Sequence, residues 1–463
     1  MIHQMVLIVM LIPYRSFSAG GIIVRETIIA KELGDMVRIK TYSPKTEEDL
    51  KPFYELHEVM RKACPKVFSE LESYETNGNL LFRVKGKKEG HAMLLMGHQD
   101  VVPADNDGWR HPPFEAEIDN GVMYGRGTVD CKSVIYSEFK AVEELLQEGF
   151  EPEYDLYLAT AVDEEIGGNG APSLVEELRR RGVRLELVLD EGGNIKMNPF
   201  EGERKRWGLM GILEKGAVNV RITAYSKGGH AGMPPRNNPI ARLAAFVNEV
   251  ETVRPFKVEL EPAMRATVER IAPYITGELG EAMRKLDEYN GDYSAFFDLT
   301  PFAEPLLATT CVFTVMQGSK VPNMIPNEAY VVANIRTMPH QGCEESFNII
   351  KSIAEKYDLV AEIEGKTREA TEPYDINTDA FRFVEQCIRE VFPDVEPVPY
   401  PVFGGTDCRH YVEITDVPIR FCPIYLDPTQ TNHAHKANEK VSLKNVDLGI
   451  DFYKYMIKKW QMR

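Results

Sequence analysis

The 463-residue chain has no Cys-x-x-Cys pair, although it holds seven cysteines, at 64, 131, 311, 343, 387, 408 and 422. An odd number at irregular spacing argues against a disulfide framework and suits a reducing, cytoplasmic compartment. Basic charge is in deficit: the net charge is −17, so polyanions are repelled at long range and a general nucleic-acid binder is excluded. A membrane-spanning segment is also missing from the N-terminus, where the apolar run from Met5 to Ile12 ends at Pro13, far too short to cross a bilayer. Small residues between Ser16 and Gly20 resemble a cleavage site, but no Lys or Arg precedes the run, which counts against a secretory signal. There is no internal repeat and no low-complexity tract. The stretch Gly125-Arg126-Gly127 has no third glycine; Asp130 stands in its place, which disfavours a dinucleotide cradle.

What is present describes a globular protein: 43% hydrophobic residues, mixed charge, and a length that predicts two domains. Apolar residues Phe53, Leu56, Val59, Met60 and Ala63 recur at helical spacing over 46–64. Asn77-Gly78 between two β-prone runs, 71–75 and 79–84, predicts a hairpin. Strands are expected at 92–96, 156–162 and 185–189, alternating with helices at 133–147 and 173–181. Such alternation implies α/β architecture, a mostly parallel sheet covered on both faces, with ligands bound at the carboxyl ends of the strands. After Trp207-Gly208 a second unit follows. It reads as strand 217–225, helix 238–253, strands 308–316 and 329–336, and helix 344–357, an antiparallel α+β domain with a helical insertion near 255–305. The expected domains are therefore 1–210 with 341–463, and an inserted 211–340. Helices at 379–391 and 445–460 return the chain to the first domain.

Five clusters carry chemistry. They are Gly97-His98-Gln99-Asp100, the glycine turn ending at Asp130, Asp163-Glu164-Glu165-Ile166-Gly167-Gly168, Asp190-Glu191-Gly192-Gly193, and His433-Ala434-His435-Lys436-Ala437-Asn438-Glu439. Alone, Asp-Glu-Glu is a solvated acidic turn and a single histidine is structural. Together they offer His, Asp, Glu, Asp or Glu, and His, a nitrogen and oxygen donor set without thiolate that suits Zn²⁺, and also Co²⁺ or Mn²⁺. Five donors exceed one open tetrahedral site and suffice for two metals if one carboxylate bridges them.

These motifs resemble the co-catalytic dizinc hydrolases of metallopeptidase family 20, which include aminoacylase, carboxypeptidase S and succinyl-diaminopimelate desuccinylase. The carboxypeptidase S branch is the most similar. The likeness rests on His98-x-Asp100 before Val101-Val102-Pro103, Trp109 before Pro112-Pro113-Phe114, Tyr124-Gly125-Arg126-Gly127-Thr128-x-Asp130, the acidic triplet, Asp190-Glu191-Gly192-Gly193 and His435-x-x-Asn438-Glu439. Gln99 departs from the pattern, where methionine or threonine is familiar. The resemblance implies a zinc-exopeptidase-like catalytic domain with an inserted lid or dimerisation domain, two Zn²⁺ per chain, and a short peptide or N-acyl amino acid as substrate. It implies metal ligation by His98, Asp130, Glu165, His435 and either Asp190 or Glu191. Asp100 would orient His98, Glu164 would be the general base, and His230, within Gly228-Gly229-His230-Ala231-Gly232, the oxyanion partner from the small domain, in a possible homodimer. His433 is expected at the surface.

A free α-carboxylate on the substrate would be read by Arg409, in Gly404-Gly405-Thr406-Asp407-Cys408-Arg409, with Asn323 and Gly405 beside the substrate. A planar guanidinium grips a carboxylate through two parallel bonds, which lysine cannot; the bland alternative is a surface salt bridge. The leading function is carboxypeptidase- or dipeptidase-like hydrolysis, with N-acyl-amino-acid deacylation as the alternative. A non-catalytic metal-binding relative would show a missing base or ligand, and every position is filled. A dinuclear phosphoesterase would leave a carboxylate-binding arginine without a role.

Overall fold

The computed structural model describes residues 19–197, 205–426 and 434–463. The run Met5–Ile12 and His433 lie outside the described residues. Among those described, no helix is long and apolar enough to cross a membrane.

A ten-stranded mixed sheet forms the frame. Its middle is parallel: Lys88–His98 lies between Tyr154–Ala161 and Leu187–Asp190, and Pro418–Arg420 pairs with the latter. Period-two alternation serves two apolar layers here, because each strand is buried on both faces. Met93, Leu95, Leu156, Leu158, Leu187 and Leu189 enter the larger core, with helices Lys132–Gln147, Asp379–Val391 and Leu443–Trp460. Leu94, Met96, Tyr157, Ala159 and Val188 enter the other, under helix Gly170–Arg180. The hairpin at Asn77-Gly78 forms as expected, both residues having positive φ, 48° and 80°. That is the backbone a two-residue turn needs to follow strand twist.

A four-stranded antiparallel sheet makes the second unit, ordered Thr310–Gln317, Glu328–Arg336, Ala217–Tyr225, Val360–Arg368. Helices Pro239–Val253 and Cys343–Lys356 cover one face. Its limits differ from those expected. Strand Arg206–Glu214 belongs to the central sheet, so the first crossing is at 214–217 and not 210. The small sheet continues to Arg368, beyond 340, because Val360–Arg368 adds an edge strand.

The helical insertion also sits elsewhere than its place in the chain suggests. Met264, Val268, Ile271 and Phe296 join the larger core together with Val395 and Val398 of the strand Val395–Val402. That strand pairs with Arg206–Glu214 and carries Pro397, Pro399 and Pro401 at alternate positions. The prolines share one edge, where a ladder donor is not needed. The insertion helix Pro262–Ile271 takes that edge: Thr267 Oγ1 donates to the Pro399 carbonyl at 2.7 Å.

Candidate metal centre

Parallel strands that end in register bring their following loops together, and three of these loops carry the acids. His98 closes its strand opposite Ala161. Asp100, two residues on and fully buried, holds both neighbours. Its backbone carbonyl lies 2.9 Å from His98 Nδ1 and its Oδ1 3.3 Å away. The same carboxylate accepts the Glu164 and Glu165 backbone N–H groups, each at 3.1 Å, and the Ser43 hydroxyl at 2.6 Å. Thus one buried acid contacts both the histidine ring and the turn bearing the acidic pair. Asp163 has a different task. Its carboxylate accepts the Asn169 and Gly170 N–H groups, both at 2.9 Å. A Cβ at Gly168 would stand 2.0 Å from its Oδ2 and one at Gly170 2.4 Å from its Oδ1, so these two glycines make room for the carboxylate.

Two groups of potential ligands result: His98, Asp130 and Glu191, and Asp130, Glu165 and His435, their donor atoms within 4.8 Å of one another in each group. Asp130 is common to both. Its Oδ1 lies 2.9 Å from His98 Nε2, and its Oδ2 3.3 Å from His435 Nε2. His435 Nε2 is also 2.9 Å from Glu165 Oε2, while Glu165 Oε1 is buried with no hydrogen-bond partner among the described residues. Asp190 is in neither group. Its carboxylate is taken by the N–H groups of Glu191 and Cys408, both at 2.8 Å. Of the pair that the sequence left open, Glu191 is the residue whose carboxylate stands among the other donors.

The electrostatics are those of a site built for cations. Burial pushes the Glu164 carboxyl well above the usual carboxylate range, His98 opposing and Asp407, Glu191 and Asp130 adding to the rise. Burial does the same to Glu191, with Asp130 next. Burial would also raise Asp130, but hydrogen bonds from His435 and His98 hold it low. Hydrogen bonds to Asp130 and then Glu165 raise His435 to about 10. Carboxylates gathered this closely and desolvated are unfavourable without compensating positive charge.

Gln99 points away from this cluster. Its side chain donates to the carbonyls of Gly78 at 2.9 Å and Thr160 at 3.2 Å, and its Oε1 lies 2.8 Å from His57 Nε2. It ties the hairpin turn to the His98 strand, so the departure at this position alters packing under the site and not the donor set.

The expected substrate residues are dispersed. Arg409 is already engaged: Nη1 donates to Glu214 Oε2 at 3.1 Å and Nη2 to the Glu369 carbonyl at 2.9 Å. The fully buried Glu214 also accepts from Arg420, at 2.6 and 3.0 Å, and from Thr406 at 2.9 Å. Arg409 thus joins both crossings between the domains. Gly405 lies against Arg368, where a Cβ would stand 1.9 Å from Nη1. Sequence reasoning passed over Arg368. Burial lowers its pKa, Glu214 and Glu164 are among the charges acting on it, and its Nε has no partner among the described residues. An arginine just before a domain crossing was the only available signal. His230 and Asn323 sit side by side on the small domain, both exposed: Ala231 N donates to the Asn323 carbonyl at 3.0 Å. His230 Nδ1 accepts from Gly232 N at 3.0 Å and makes no bond to the acidic cluster. Beside Asp130 and Glu191 a cavity of about 310 Å³ opens, its wall made by Leu209, Tyr400, Phe403 and Ile424 with the polar Lys196 and Asn194.

The family model for Peptidase family M20/M25/M40 matches residues 94–459. An N-fatty-acyl-amino acid synthase/hydrolase, PM20D1.1, of Danio rerio is 31% identical over 425 residues, covering 90% of this chain and 82% of that protein. A probable carboxypeptidase S-like 2 of Dictyostelium discoideum is 31% identical over 419 residues, covering 88% and 79%. In fold, the chain is similar to an M20 family metallo-carboxypeptidase from Sulfolobus solfataricus, with a TM-score of 0.69 at 18% identity over 94% of this chain and 99% of that one. Human carnosine dipeptidase 1 gives 0.67 at 15%, over 96% and 98%. The acids that the strand ends gather lie inside the matched span, and the likeness runs through both domains; the chain belongs to Peptidase family M20/M25/M40.

Proposed function

We propose that the protein hydrolyses the amide bond of N-acyl amino acids or short peptides that keep a free carboxylate, at a centre of two divalent metals, Zn²⁺ foremost. The observation that carries this reading is the pair of donor groups sharing Asp130, with the buried Glu164 carboxyl in electrostatic reach of His98, Glu191 and Asp130. The nitrogen and oxygen donors and the unpartnered Glu165 Oε1 fit such ions. His98, Asp130 and Glu191 would hold one, and Asp130, Glu165 and His435 the other. When bound, such metals polarise a carbonyl oxygen and acidify water.

The chain's own residues do the rest. Asp100 keeps the His98 ring oriented. Glu164 takes a proton from the attacking water and returns it to the nitrogen as the C–N bond breaks. Arg368, whose guanidinium has no ion-pair partner among the described residues, is better placed than Arg409 to grip the substrate carboxylate beside Gly405. The largely apolar wall of the cavity next to Asp130 and Glu191, interrupted by Lys196 and Asn194, leaves room for an apolar acyl group, which favours N-acyl amino acids over polar dipeptides. His230 and Asn323 would complete the site from the small domain, the former as oxyanion partner. Seven cysteines, all free, support work in a reducing, cytoplasmic setting.

The test is a metal-stripped preparation assayed against a panel of N-acyl amino acids, dipeptides and their carboxamides. Activity should vanish on stripping and return with Zn²⁺, near two equivalents per chain. Free-acid substrates should be preferred over amides. A fully active metal-free protein, or equal turnover of amidated and free-acid substrates, would overturn the proposal.

A further inference from the structure

Glu439 carries a carboxylate that touches none of the proposed ligand atoms, yet it is fully buried under the loop that presents Asp130. Its Oε1 accepts the backbone N–H of Val129 at 2.7 Å and of Asp130 at 3.1 Å. Its Oε2 accepts the N–H of Gly127 at 3.1 Å and Nη1 of Arg126 at 2.5 Å. Its own carbonyl accepts from Gly125 N at 3.0 Å. One side chain thereby satisfies three N–H groups of a tight turn, a concave arrangement that suits an anion. Gly127 in that turn has φ 86°, and a Cβ there would meet Val101 Cγ1 at 2.8 Å.

The same residue ends the segment that brings His435 to Asp130. His435, its side chain 56% exposed, has φ 64°, as does Asn438. The outer side of this turn is tied by Asn438, which accepts from Arg110 N at 2.6 Å and donates to the Gly108 carbonyl at 3.0 Å. Its inner side is tied by Glu439. By contrast, His98 and Glu191 stand at the ends of strands paired on both sides.

We infer that Glu439 is a positioning residue for one half of the centre: it couples the Asp130 loop to the His435 turn and so assembles the Asp130, Glu165 and His435 group. This rests on the dinuclear reading above. A purely structural role would weaken both metal positions alike, or neither. A positioning role weakens one, because the His98, Asp130 and Glu191 group keeps two donors on strand ends.

The experiment titrates the stripped full-length protein with Co²⁺ and with Zn²⁺, following heat and the visible Co²⁺ bands. Wild type should take up two equivalents. Glu439→Gln, which puts an amide N–H against N–H donors, should bind the first within about threefold of wild type and the second at least about tenfold more weakly, the usual scale for groups that orient ligands. Two equivalents bound as tightly as in wild type, or both weakened equally, would overturn the assignment while leaving the dinuclear reading intact. A wild type that binds a single equivalent overturns the dinuclear reading and this inference with it. If Glu439→Gln does not fold, Arg126→Gln serves. It removes the counter-cation and keeps the three N–H bonds, and it should show the same selective weakening, to a smaller degree. Parity with wild type in that variant overturns the inference.

Discussion

Glu164 and Glu165 are adjacent, and their backbone N–H groups bind the same Asp100 carboxylate, yet their side chains have separate surroundings. Glu165 reaches His435 at 2.9 Å; Glu164 is in neither donor group. Exchanging each for glutamine should therefore give opposite phenotypes. Glu164→Gln should lower kcat about a hundredfold or more, the scale of general acid–base catalysis, while metal content stays at the wild-type level. Glu165→Gln should lose metal first. Metal analysis beside steady-state kinetics decides, and swapped phenotypes would reverse the two roles. The arginines divide in the same way. Arg368→Ala should raise KM for free-acid substrates and leave KM for their amides nearly unchanged. Arg409→Ala should instead lower stability, on the order of 2 kcal/mol, because buried Glu214 loses one of its cations. Denaturant unfolding and substrate titration separate them. A KM effect confined to Arg409 would restore the sequence expectation for that residue.

At the scale of elements, legibility followed burial. Strands at the centre of the sheet were readable because both faces are apolar, and the acids stood out because each follows such a strand or a glycine turn. Val360–Arg368 was not readable: it is an exposed edge strand, and Glu362, Glu364 and Lys366 break the apolar signal. Val395–Val402 was hidden by three prolines, which argue against a central strand and are accommodated here on one edge. The different surroundings of Asp190 and Glu191 were invisible for another reason. Asp190 ends its strand and Glu191 follows it, and one of the two N–H groups that bond the Asp190 carboxylate, that of Cys408, comes from over two hundred positions away. The insertion offers the test at this scale. Met264 is fully buried in the larger core, so Met264→Ala should destabilise the catalytic domain by roughly 3 kcal/mol. Tryptophan fluorescence during urea unfolding reports this directly, since Trp207 lies in the same core. An unshifted main transition with a separate early one would mean that the insertion folds independently.

For the whole molecule, the role proposed for His230 sets a geometric requirement. It is exposed on the small domain and bonded within its own loop; as the proposed oxyanion partner it would arrive by domain closure or from a second copy of the chain. Closure is opposed at several points. Lys215, in the first crossing, is buried and donates to the carbonyls of Pro305 at 3.2 Å and Ala308 at 2.7 Å, fastening the crossing to the end of the insertion. The insertion is in turn packed on the central sheet through Met264, Val268 and Ile271. Arg409 clamps Glu214 of one crossing to the Glu369 carbonyl of the other. A swing large enough to carry His230 inward would expose apolar surface and break buried ion pairs, which favours a histidine supplied across a two-fold dimer. His230→Ala should then be nearly inactive with its metals in place, and so should Glu164→Gln. Mixed and allowed to exchange subunits, they should recover up to about a quarter of wild-type rate. Half of the dimers are then mixed, and each mixed dimer has one site with both an intact base and a partner histidine. Native mass spectrometry must show that exchange has occurred. If mixed dimers form and no rate returns, or if the protein is a monomer that is fully active, His230 acts within its own chain and the crossings must move.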